Sequence, residues 1–119
     1  MDMDKDTAVI HLLTNFAYID YHIAQEEVEV IKKYASKKGI NVDIDSIIEF
    51  AEKNANDEEL KFYADSINFL NQNLTEDEKI ELLKAADELI KSDGAVLKGE
   101  EVKLEMLSKN WGIDLKKIK

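Results

Sequence analysis

Two stretches decide the fold: Ala17-Tyr18-Ile19-Asp20-Tyr21-His22-Ile23-Ala24-Gln25-Glu26-Glu27 and Lys91-Ser92-Asp93-Gly94-Ala95-Val96-Leu97-Lys98-Gly99-Glu100. Each leads from an apolar helical run, through an Asp and then a β-branched residue (Ile23 or Val96), to a Glu (Glu27 or Glu100) that opens the next helix. Sliding the chain over itself by 73 positions, without a gap, sets Asp20 on Asp93, Ile23 on Val96, Glu27 on Glu100 and Gly39-Ile40 on Gly112-Ile113. The apolar positions keep phase on both sides of the bend: Phe16 falls on Leu89, Ala17 on Ile90, Ile31 on Leu104 and Tyr34 on Leu107. A shift of 74 aligns Glu26-Glu27-Val28 with Glu100-Glu101-Val102 but breaks the glycine match, so the ungapped shift is preferred. The unit of helix, acidic bend and helix is written twice.

Working outward, residues 6–19 carry Val9, Leu12, Leu13, Phe16 and Ala17 at the i, i+3, i+4, i+7 spacing of a helix face, with Asp6 and Thr7 as candidate caps. After the first bend Val28, Ile31, Tyr34 and Ala35 continue a helix to about residue 38, where Gly39 can take the left-handed conformation that ends it. Connecting helices follow over about 45–55, with Ile44, Ile47, Ile48 and Ala51 inward, and 57–72, with Leu60, Tyr63, Ala64, Ile67 and Leu70 inward. Thr75 and Glu78 have the spacing of a capping box, in which each side chain satisfies the other's backbone N–H, and open a fifth helix running to about residue 92. A sixth, striped by Leu104, Leu107 and Trp111, stops at Gly112, and residues 114–118 add a last turn. The reading is all-α: about six helices, as two pseudo-repeated hairpins around one core. Residues 1–119 form one domain, with repeat one over about 9–41, connecting helices over about 44–73 and repeat two over about 75–114.

Composition agrees. A chain of 119 residues with 45% hydrophobic and 35% charged residues is globular in character and can bury one modest core. It has no proline and only four glycines, and its commonest residues are good helix formers. The lack of cysteine excludes disulfides and thiolate chemistry and fits the reducing cytoplasm. An acidic start unlike a secretory signal points the same way, and no apolar run is long enough for direct membrane insertion. Net charge is −10 and all 16 basic residues are Lys, so no Arg is present to clamp a phosphate, and nucleic acid is disfavoured as a partner. Cations and basic protein surfaces fit this field.

The doubled unit resembles the TerB-like (tellurite resistance protein B) family, whose hallmark is a repeated Asp-Gly-x-Ile/Val-x-x-x-Glu turn between helices, followed by a helix ending near Leu-Gly-Ile/Leu. The resemblance spans about residues 9–114, and the lead-in Leu74-Thr75-Glu76-Asp77-Glu78-Lys79 is similar to the family's start of the second hairpin. The first copy departs from the pattern at Tyr21, where Gly would permit a positive φ. The resemblance implies an all-helical cytoplasmic component of tellurite-resistance and stress-response systems, a kind of domain also fused to a membrane-anchored DnaJ-like co-chaperone. It implies metal-ion binding through the acidic turns, or recruitment of protein partners near the membrane.

Asp20, Glu27, Asp93 and Glu100 therefore admit two readings. Brought together by a pseudo-twofold, they would offer carboxylates to one divalent cation, with His22 as an added ligand, and oxygen donors favour Mg²⁺, Ca²⁺ or Mn²⁺ over Zn²⁺. Alternatively each Asp accepts bonds from the amides opening the next helix, while each Glu lies at the positive end of that helix's dipole. The Asp-to-Glu spacing is too short for an EF-hand loop. His11 reads as a partly exposed, unligated histidine, and Tyr34, Tyr63 and Trp111 read as core. The lysine pairs Lys32-Lys33 and Lys37-Lys38 read as solvated faces. No phosphate-binding glycine loop, nucleophile elbow or metalloprotease signature is present, so the expectation is a binding module and not an enzyme.

Overall fold

The computed structural model describes residues 4–17, 25–53, 57–92 and 98–118, and all regular structure among them is helical. In chain order the helices are α1 (Lys5–Ala17), α2 (Gln25–Lys38), α3 (Ile44–Lys53), α4 (Asp57–Asn73), α5 (Glu76–Lys91) and α6 (Lys98–Asn110), followed by a 3-10 turn at Leu115–Lys117.

Local chemistry sets the ends. The Thr75–Glu78 box forms as expected: the Glu78 N–H donates to Thr75 Oγ1 at 3.2 Å and the Thr75 N–H donates to Glu78 Oε1 at 2.9 Å. At α1 the cap is Asp4 and not Asp6 or Thr7, since the Thr7 N–H donates to Asp4 Oδ1 at 2.7 Å. Asp43 does the same for α3, accepting from the Ser46 N–H at 3.1 Å. α2 and α6 stop by one shared device. Gly39 (φ 68°) and Gly112 (φ 70°) take the left-handed conformation. The following N–H groups then reach back, Ile40 to the Ala35 carbonyl at 2.8 Å and Ile113 to the Ser108 carbonyl at 2.9 Å. These are matching Schellman closures, and the 73-residue shift maps one onto the other.

α1 is the centre of the molecule. Every residue from Ala8 to Ala17 is buried, and the helix packs against α2, α3, α4 and α5. A one-sided stripe understates it: residues 7–17 carry no Asp, Glu, Lys or Arg, the mark of a helix enclosed on all sides. Its polar side chains are accommodated locally. The Thr14 hydroxyl donates to the Ile10 carbonyl at 2.7 Å. His11 is buried rather than partly exposed, standing perpendicular to the Phe50 ring at 5.9 Å between centroids. Around α1 lie Ile31, Leu70, Leu82, Leu83, Leu89, Ile90, Leu104 and Leu107, all under 3% exposed. The Trp111 indole N–H donates to the Ile67 carbonyl at 3.2 Å, tying α6 to α4. Ala64 is exposed, against expectation. The buried stripe of α4 centres on Ser66 and Leu70, and at 3.6 residues per turn this points Ala64 roughly 140° away.

Ion pairs between helices fix the register. Lys38 pairs with Glu81, and Lys33 with Glu88 at 3.7 Å, so α2 runs antiparallel to α5. Lys5 pairs with Glu78 at 2.9 Å, which brings the first turns of α1 and α5 together. The ammonium of Lys103, midway along α6, donates to the carbonyl of Asn15 in the last turn of α1 at 3.0 Å. Together these contacts gather the end of α1, the start of α2, the end of α5 and the start of α6 at one end of the molecule.

Candidate functional site

Of the acidic residues singled out in the sequence, Glu27 is described in full, and it lies at this gathered end. Glu27, in the first turn of α2, is only 6% exposed, an unusual position for a carboxylate, which is seldom buried without a partner; it engages one here. Glu100 falls in the first turn of α6, but its side chain lies outside the described residues. Asp20, His22 and Asp93 also lie outside the described residues. Among the described residues no group of three or more His, Cys, Asp or Glu is placed to hold a metal ion.

A fixed positive charge stands beside this end. Lys103 Nζ lies 4.4 Å from the Tyr63 ring centroid and 5.3 Å from that of Phe16, and it donates to both the carbonyl and the side-chain oxygen of Asn15. The last turn of α1 contains no basic residue of its own, so Lys103 supplies from α6 the cation that a helix C-terminus favours. Stacking over two rings adds cation–π attraction. The sequence offered one signal for this: Lys103 sits four positions before Leu107, at the margin of the apolar stripe, where a lysine can bury its stem.

The lysine pairs of α2 are exposed, as expected, and three of the four lysines also form ion pairs. Lys32 pairs with Asp45 at 3.2 Å, Lys33 with Glu88 and Lys38 with Glu81, each joining α2 to another helix. Beside them Tyr34 is half-buried, and its phenol is pushed up to about 12, mainly by burial and further by the Glu78 charge. Burial likewise raises the Tyr63 phenol and lowers the His11 imidazole.

The outward face of α6 is different in kind. Val102 (43% exposed) and Met106 (67% exposed) are four positions apart on one side of the helix. They share a shallow groove with Glu105, Lys109, Asp114, Ile113 and Leu115. The sequence pattern contained this face unread, because Val102 and Met106 fall outside the Leu104–Leu107–Trp111 stripe.

Among the described residues no helix is long and apolar enough to cross a membrane. Comparison with curated proteins and with solved structures finds no match. The family model described as tellurite resistance protein TerB matches residues 6–118, from the first turn of α1 to the residue after the 3-10 turn. The match covers both hairpins and the helices between them, and the chain accordingly belongs to the TerB family.

Proposed function

We propose that this protein is a non-catalytic adaptor that recruits protein partners, with α6 as the docking helix. The observation that carries this reading is the exposed pair Val102 and Met106, flanked by Glu105 and Asp114 on a chain of net charge −10. An apolar spot whose rim carries two carboxylates against one ammonium, Lys109, suits a partner segment that presents an apolar side chain beside Lys or Arg residues. The apolar contact supplies affinity and the charges supply steering and selection. The family's association with tellurite resistance supports a stress-response setting for such recruitment. The test is affinity capture with the wild-type chain and a Val102→Lys, Met106→Lys double variant, at low and high salt. A partner held by the wild type at low salt, released by screening and lost by the variant supports the reading. Equal capture by both proteins contradicts it.

A second reading, divalent-cation binding at Asp20, Glu27, Asp93 and Glu100 with His22, is favoured by the burial of Glu27 where four helix ends gather. Mg²⁺, Ca²⁺ or Mn²⁺ would suit such oxygen donors better than Zn²⁺. Calorimetry on the metal-free chain tests it. Heat that disappears in Glu27→Gln supports a site, and no heat or thermal shift at millimolar metal removes it.

A further inference from the structure

Between α2 and α5 runs a groove of about 350 Å³ lined by Lys33, Lys37, Lys38, Lys84, Glu81 and Glu88. Four cations against two anions reverse, at one place, the sign of a chain whose net charge is −10. The two glutamates are already committed. Glu88 pairs with Lys33 at 3.7 Å and Glu81 pairs with Lys38, so each ion pair spans the groove from one helix to the other. Lys37 and Lys84 are exposed and form no ion pair with any described residue. Lys33 and Lys37 are also four positions apart on α2, a like-charge spacing that destabilises a helix. The arrangement thus holds two uncommitted ammonium groups, Lys37 and Lys84, on the two helices that line one groove.

We propose that the α2–α5 groove binds a small dianionic oxyanion, with phosphate as the type, held between Lys37 and Lys84. Lysine suits this role as a point charge with freely oriented donors. Tyr34 lines the same groove, and burial keeps its phenol neutral, so it brings no competing negative charge. Size selects the ligand. An extended polyanion would meet the negative field of the whole chain, whereas a small ion inside the groove experiences chiefly the charges within about one Debye length, roughly 10 Å. The groove lies on α2 and α5, apart from the α6 face, so the two sites stand or fall separately.

The experiment is an amide NMR titration of the full chain with inorganic phosphate, and in parallel with sodium chloride at matched ionic strength. Saturating shifts confined to the groove-lining residues of α2 and α5, seen with phosphate alone, are expected. Lys37→Ala with Lys84→Ala should weaken phosphate binding roughly tenfold or more, the scale of one lost charge-assisted hydrogen bond, without altering the far-ultraviolet dichroism. Lys53→Ala, on α3, should leave binding unchanged. Shifts that do not saturate, that appear equally with chloride, or that persist in the double variant would overturn the proposal. So would an equal loss in Lys53→Ala, which would show a general charge effect.

Discussion

Lys103 and His11 show what single side chains contribute to this fold. Lys103 joins α6 to α1 by hydrogen bonds and to α4 by its position over Tyr63. Lys103→Met keeps the aliphatic stem and removes the charge, so it should lower unfolding free energy by about 1–2 kcal/mol, measured by urea denaturation. An unchanged midpoint would show that the ammonium contributes nothing. His11 makes the chain sensitive to pH in a defined direction. Burial lowers its pKa in the folded state from the ordinary 6.5, so the unfolded chain takes up a proton more readily. The His11 contribution is therefore intact above pH 6.5 and is lost as pH falls from there toward the lower folded value. Melting temperature followed downward from neutral pH should decline, and His11→Phe should flatten the part of that decline nearest pH 6.5. The His11 role was not legible in the sequence, and the Lys103 role only as a place at the edge of an apolar stripe. A lone Lys beside an apolar stripe and a lone His within one look alike whether they face water or the core, and only the helices packed around them decide.

Helix boundaries were legible where one local motif had no competitor. Thr75 and Glu78 form their box as their spacing requires. At the first helix the expected caps were Asp6 and Thr7, and Asp4, two positions before Asp6, takes the role instead. Ala64 was misplaced because alanine fits either side of a helix, and the stripe of α4 is set by its neighbours α1 and α6 and not by its own pattern. The two glycine stops were legible as a pair, and their geometry gives a quantitative prediction. A Cβ at Gly39 or Gly112 would meet nothing within 4 Å, so substitution should cost backbone strain alone. Gly39→Ala and Gly112→Ala should each destabilise by about 1–2 kcal/mol, and the double variant should show close to the sum, since the two motifs share no partners. Denaturant midpoints test this. A negligible loss at either position would mean that its stop does not depend on a left-handed residue.

For the molecule as a whole, the internal repeat marked out the helix ends that flank the two bends, and contacts of Lys33, Lys38 and Lys103 join the helices that carry them. It could not foretell the asymmetry. α2 is bound to α5 by two cross-helix ion pairs, whereas α6 reaches α1 through Lys103. The candidate ligands Asp20, His22 and Asp93 fall outside the described residues, so what the acidic bends bind is a question for metal titration. The account depends on the two hairpins meeting at one end. Extrapolating the Lys33–Glu88 contact by 1.5 Å per residue, at ordinary helix spacing, puts the Cα atoms of Glu26 and Lys91 about 12 Å apart. The chain has no native cysteine, so nitroxides on Glu26→Cys and Lys91→Cys report that one distance. Strong dipolar broadening is predicted; a separation approaching the 34 Å length of the molecule would contradict the arrangement.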